Sequence, residues 1–418
     1  MEVIAPSAAW LTADLPGIGG ILRERPEDFV VDELPLRPPS GHGDFARARI
    51  RKHGLSTPEL QRRIGAALQL PTTEVGVAGM KDAVAVAWQW LSVPWKKEPK
   101  LSAATIKDVE IVEIARDHEP LHPGALAGNR FAITIRGVGP EQDALRRAEA
   151  ILAVLAARGV PNFFGPQRFG VRGEGPELGR HLLAREPLKA LDLFLGAPSP
   201  REGDPRAQAF RRAYEKRNYG EALSLVPGRL NGERRLLEQL VRGRRLEAVA
   251  GELAPATRRM ALSAWQSLLF NRVVAARLAG LDAPLAGDLL VAEGAARGDD
   301  AVAARTCSDP VADTPAVRER KLHLTGPLYG ERVALAGGAP GEIERAILGA
   351  ERLPSGALVR PAGLSLWGER RALRFLARDL SVSALAGECS LVFAFVLPPG
   401  CFATALLAEV MKDAAPVI

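Results

Sequence analysis

Apolar and polar residues alternate through much of the first third of the chain. "DFVVDEL" (28–34), "DFARARI" (44–50), "EVGVAGM" (74–80), "AVAVAWQWLSV" (83–93), "VEIVEIA" (109–115) and "RFAITIRGV" (130–138) each carry the period of two, or the β-branched content, of a strand. Proline and glycine clusters such as "PLRPPSGHG" separate them. One helix is predicted among them, "TPELQRRIGAAL" (57–68), with Thr57 as N-cap and Pro58 in its first turn. Many strands with few intervening helices exclude a parallel doubly wound sheet. They predict a mixed, largely antiparallel α+β fold.

From Glu141 the period changes to that of helices. "EQDALRRAEAILAVLAARG" runs to a stop at Gly159, and "ERRLLEQLVRG", "RRMALSAWQSLLFNRVVAARLAG" (258–280) and "GEIERAILGAE" (341–351) follow. Strand character returns at "SLVFAFVLP" (390–398), before a short helix, "ATALLAEVMK" (403–412). This order predicts an insertion, with the last strand rejoining the first sheet. No internal repeat or low-complexity tail is visible.

Composition narrows the class. A chain of 418 residues, 47% hydrophobic and 25% charged, is expected to fold as two domains, or as one domain with a large insertion. No apolar run approaches bilayer length, so no membrane association is expected. The start "MEVIAPSAAW" lacks a basic stretch followed by an apolar core, so no secretory signal is expected. Three distant cysteines, Cys307, Cys389 and Cys401, and six histidines make neither a disulfide framework nor a metal-ligand pattern. A cytoplasmic setting follows.

The net charge is +6. Arginine exceeds lysine, which fits a GC-rich genome or an anionic partner. "REGDPRAQAFRRAYEKRNYG" (201–220) and "NGERRLLEQLVRGRRLEAV" (231–249) concentrate positive charge at helical spacing. Either alone reads as a solvated helix face; the two together point to an RNA-facing surface.

Candidate chemistry centres on "GMKDAVAVAWQW" (79–90). Alone, its Lys81-Asp82 pair reads as a polar turn between strands. The following strand carries Trp88 and Trp90, however, and a carboxylate at the mouth of a buried sheet needs a cation to stay charged. Lys81 is adjacent but points away from Asp82 in an extended backbone, so a remote arginine or lysine is the expected partner. "LRERPEDFVVDE" (22–33), "GNRFAITIR" (128–136), "GVPNFFGPQRFG" (159–170) and "LPPGCFATALLAEV" (397–410) read singly as strand starts, turns or caps. Together they supply a carboxylate, an amide, aromatic rings and arginines, the needs of an enzyme acting on an extruded base.

These segments, in this order, resemble the TruD family of tRNA pseudouridine synthases. The family signature G-x-K-D-x-x-A-x-T-x-Q stands here as Gly79, Lys81, Asp82, Ala85 and Gln89, with Ala87 where threonine is usual. The resemblance implies an isomerase that converts uridine 13 of tRNA to pseudouridine, with Asp82 as the catalytic aspartate. It implies that Arg23 takes the place of a basic residue, often lysine, that can pair with Asp82. It also implies that Phe29, Asn129 and Phe402 contact the target nucleotide, and that Phe131 packs within the active site.

The implied architecture is a pseudouridine synthase domain, residues 1–158 and 376–418, with an inserted, mainly helical domain, 159–375, forming an RNA cleft. No cofactor and no metal are needed, tRNA is the partner, and a monomer is expected. Asp82 either attacks C1′ or takes the C2′ proton; the sequence leaves both routes open. Family members from archaea and eukaryotes act on several RNAs, which leaves broader specificity as an alternative. A non-catalytic RNA-binding protein and a metal-free hydrolase are further alternatives. A carboxylate facing an anionic ligand disfavours the first, and the lack of a second carboxylate or histidine beside Asp82 disfavours the second.

Overall fold

The alternation of the first third builds one sheet. The computed structural model describes residues 10–294 and 304–412. The start inspected for a secretory signal lies outside them, except for Trp10. The chain forms two compact units, one built on Pro161–Arg374 and the other on Thr12–Val160 with the segment from Phe375 onward.

The sheet belongs to the second of these. Its strands are β1 (Ile21–Leu22), β2 (Phe29–Pro35), β3 (Phe45–His53), β4 (Gly76–Val77), β5 (Val86–Pro94), β6 (Val109–Asp117), β7 (Leu126–Arg136), β8 (Arg378–Leu385) and β9 (Ser390–Leu397). They lie in the order β8-β9-β7-β2-β5-β3-β6, with β1 on β7 and β4 on β5. Every pairing is antiparallel except β2 with β5. The fold is thus mixed α+β with a largely antiparallel sheet, and "SLVFAFVLP" does rejoin the sheet, between β8 and β7.

Period-two patterning explains the layers. On β3, Ala46, Ala48 and Ile50 face inward and meet Leu91 and Val93 of β5. Helix α1 (Thr57–Leu68) covers that face with Leu60, Ile64 and Leu68. Each is fully buried, a contribution of about 1.5–3 kcal/mol per side chain. Helix α2 (Glu141–Arg158) stops at Gly159 as its pattern predicts and packs on β8. Helix α3 (Ala403–Met411) follows β9 and packs against α2.

The structure corrects three details. Ser56, not Thr57, caps α1: its hydroxyl accepts from the Glu59 N–H at 3.4 Å. Strand β8, "RDLSVSAL", goes unpredicted because it is an edge strand, half exposed and polar along much of its length. The unit on Pro161–Arg374 is mainly helical, as expected, with its core around Leu191, Phe210, Leu237 and Trp265. It also holds a four-stranded sheet in the order Arg305–Thr306, Leu289–Ala292, Leu322–Leu328, Glu369–Ala372. Gly326 and Pro327 read as turn residues, yet they lie within the third of these strands.

Removing the α1 cap tests the boundary. Ser56→Ala should lower unfolding free energy by about 1 kcal/mol and leave activity unchanged. Denaturant unfolding measures this, and an unchanged midpoint would place the cap elsewhere.

Candidate active site

Local pairing dictates how the 79–82 segment is held. It leaves β4 and returns as β5, and each of its anchors comes from the sheet or from α1. Gln89 on β5 donates its Nε2–H to the Gly79 carbonyl at 2.6 Å. The Thr57 hydroxyl accepts from the Lys81 N–H at 2.8 Å and donates to Gln89 Oε1 at 3.2 Å. Thr57 therefore serves the loop, which is why capping falls to Ser56. The Lys81 side chain points inward and pairs with Glu33 on β2, both ends buried. Glu33 also accepts from the Trp90 N–H at 3.2 Å. A Cβ at position 79 would lie 2.8 Å from Lys81 Nζ and 3.0 Å from Glu33 Oε2, so the signature glycine makes room for that pair. Burial pushes the Glu33 carboxyl up, and the Lys81 ammonium opposes the rise.

With Lys81 turned inward, Asp82 turns outward. Its side chain is 48% exposed and meets Arg23, 19% exposed, at 2.8 Å between Oδ2 and Nη2. This is the remote cation the alternation argument requires. Arg23 sits at φ 61°, a left-handed conformation unusual for a residue with a side chain. The turn after it is pinned from below. Asp28 accepts from the Arg25 N–H at 2.9 Å and from Arg136 Nη2 at 2.7 Å, and Arg136 reaches Glu388 at 2.6 Å. Burial pushes the Asp28 carboxyl up, but the Arg136 guanidinium and the Arg25 N–H win and hold it below the ordinary carboxylate value.

Aromatic residues line the adjoining strands. The Arg23 guanidinium lies 4.1 Å from the centroid of Phe29. Phe29 meets Phe131 edge-on at 6.0 Å, and Phe131 meets Phe395 at 5.4 Å. Phe29 is 4% exposed, so here it packs beneath Arg23 rather than offering an open face. Phe402 is 38% exposed at the start of α3. Asn129 lies on β7 opposite Glu33 of β2 and Leu397 of β9. It is half-buried, and its buried Oδ1 accepts no hydrogen bond from the described residues. The structure thus links Arg23, Asp82, Phe29 and Phe131 by contact. It places Asn129 and Phe402 on β7 and just past β9.

Sequence reasoning missed Glu33, Lys52, Thr57, Asp28 and Arg136, which hold these groups. Lys52 had a visible signal. It continues the inward phase of Ala46, Ala48 and Ile50 and so had to be a buried lysine. Of the two basic segments, much of the charge is paired internally. Arg211 is buried against Glu202, and Arg217 and Arg244 pair with Asp192 and Glu252. Among the described residues no group of three or more His, Cys, Asp or Glu could hold a metal ion, and no helix is long and apolar enough to cross a membrane.

The Arg23–Asp82 pair thus stands at one end of a mixed, largely antiparallel sheet. The family model for tRNA pseudouridine synthase D (TruD) matches residues 7–410. A tRNA pseudouridine synthase D from Geobacter metallireducens is 42% identical over 97% of this chain and 98% of its own length. The one from Geobacter sulfurreducens is 39% identical over 96% of each chain. The crystal structure of a candidate tRNA pseudouridine synthase D (TruD) from Methanosarcina mazei superimposes with a TM-score of 0.79 at 26% identity, covering 96% of this chain and 95% of that one. The chain belongs to the tRNA pseudouridine synthase D family.

The Lys81–Glu33 pair supplies a prediction. Lys81→Met leaves a buried carboxylate alone and should cost about 3–5 kcal/mol. Adding Glu33→Gln should recover part of that loss. Thermal or denaturant unfolding of the two single variants and the double variant measures the coupling, and simple additivity would contradict it.

Proposed function

We propose that this chain isomerises uridine 13 of tRNA to pseudouridine, with Asp82 as the group that starts glycosidic cleavage and Arg23 as its countercharge. The observation that carries this reading is a half-exposed carboxylate, held on a loop anchored at Gly79, Lys81 and Asp82 and met by a guanidinium at 2.8 Å. Synthase chemistry is assigned to residues 1–158 and 376–418, and 159–375 is assigned as the inserted part. The protein works as a monomer in the cytoplasm.

The reaction breaks N1–C1′, turns the uracil and forms C5–C1′; the C5 proton leaves and N1 gains one. Nothing is oxidised and no bond is hydrolysed overall, so the chemistry calls for no redox cofactor. Attack on C1′ and removal of the C2′ proton both require an ionised Asp82. Arg23 sets its cationic, planar guanidinium fork against that charge where the family often has lysine. The detached base must not escape. Phe402 stacks on the target nucleotide, worth about 1–3 kcal/mol, and Asn129 offers a donor and an acceptor to the pyrimidine edge or its backbone. Phe29 and Phe131 form the apolar floor. Surface arginines contact phosphates, which makes tRNA binding weaken with salt.

Pseudouridine mapping of tRNA incubated with purified protein tests the reading. A new pseudouridine at position 13 is expected. Modification only at other sites or in other RNAs would favour broader specificity, and none at all would overturn the assignment. Phe402→Ala should lower kcat/KM by about tenfold, the loss of roughly one stacked base, without changing the unfolding midpoint. Unchanged kcat/KM would make Phe402 a packing residue only.

A further inference from the structure

Lys52 is the one lysine of β3, and it is fully buried. A buried ammonium is costly unless paired, yet no carboxylate among the described residues lies within ion-pair distance of it. Its Nζ donates instead to two main-chain carbonyls, that of Leu55 and, at 3.0 Å, that of Asp82 itself. The first of these closes the turn from β3 into α1, which delivers Thr57 to the Lys81 N–H. The second grips the peptide of the candidate nucleophile. An apolar residue here would satisfy the inward phase of β3 at less cost and would leave Asp82 without this anchor.

The surroundings isolate this group. Ala87 of β5 and Val109 of β6 lie opposite it in the two ladders and bring no charge. Its strand neighbours face the other way, Arg51 toward Glu110 at 3.5 Å and His53 toward Glu27 at 2.9 Å. Lys81 and Asp82 on the loop are the charged groups that act on it. Burial, helped by Lys81 and opposed by Asp82, pushes the Lys52 ammonium down to about 8.

We propose that Lys52, as an ammonium, is a positioning residue: it holds the Asp82 peptide so that the carboxylate meets its target in one orientation. The proposal rests on the reading of Asp82 given above. Lys52 touches no substrate and acts through Asp82. Removing its charge or its donors therefore slows the chemical step and leaves tRNA binding alone.

Activity and stability should then respond to pH in opposite directions. The active form is the protonated one, so the rate falls as pH rises through about 8. In the folded protein this amine titrates below its ordinary 10.5, so the unfolded chain binds more protons between about 8 and 10.5. Stability linked to this group therefore improves over that range. A purely structural lysine would not slow the reaction while the fold gains.

The test is single-turnover pseudouridine formation in tRNA, with tRNA affinity and unfolding followed in parallel, for wild type, Lys52→Met and Asp82→Asn. Lys52→Met is expected to lose rate on the order of 100-fold, as for a misplaced reacting group. Its Kd for tRNA should stay within about twofold, and its slow rate should not vary with pH around 8. Wild type should lose rate on the alkaline side of about 8 while its unfolding midpoint holds or rises. A Lys52→Met rate near wild type, or a loss confined to tRNA affinity, overturns the proposal. Should Lys52→Met fail to fold, Lys52→Gln, which keeps a donor without the charge, and the wild-type profile decide, and a wild-type rate unchanged from about pH 7 to the ordinary lysine value of 10.5 overturns it. Asp82→Asn separates the two claims. If it stays active the reading of Asp82 fails; if it is inactive while Lys52→Met is active, only the role of Lys52 fails.

Discussion

The site depends on buried cations beneath the 79–82 loop. Lys81 and Lys52 both leave water, one to meet Glu33 and the other to meet two carbonyls. Together with Thr57 and Gln89 they fix the loop at Gly79, Lys81 and Asp82 from the core side. The Asp82 and Met80 side chains remain on the outer side. An aspartate on an ordinary surface turn would sample many rotamers. This one is presented on a segment with little freedom left, so orientation is settled before substrate arrives.

The same logic applies to its partner. Arg23 holds a left-handed backbone conformation that an arginine would not choose on its own. Asp28, Arg136 and Glu388 secure the neighbouring turn, and Phe29 carries the guanidinium on its face. Two strained or desolvated elements, one before β2 and one before β5, thus meet at a single 2.8 Å contact. The parallel pairing of β2 with β5, the one exception in an antiparallel sheet, brings the starts of both strands to the same end. That topology places Arg23 and Asp82 together although they are 59 positions apart.

Much of this was legible in the chain. The alternation in "DFARARI" and in the tryptophan-bearing strand set the sheet, and the 3.6-residue period of α1 set its extent from Thr57 to Leu68. That Lys81 would turn away from Asp82 followed from strand geometry alone. The edge strand β8 was not legible, because half its positions face solvent and carry polar groups. Nor was the small sheet of the inserted part, whose strands are short or carry Gly326 and Pro327. Thr57 misled because a threonine before a proline looks like a cap, whereas its hydroxyl is committed to a loop 24 residues away. The arginine-rich segments looked freely basic, but which guanidinium finds a carboxylate is a matter of tertiary placement. Arg211 on Glu202 is the clearest instance.

The central claim is that the Asp82 carboxylate performs the chemistry from this anchored loop. Release of tritium from tRNA labelled at uracil C5 measures it most directly, because that hydrogen leaves only when C5 joins C1′. Wild type should release about one tritium per modified uridine, and Asp82→Asn should release none while still binding tRNA. Release by Asp82→Asn at a rate near wild type would contradict the account.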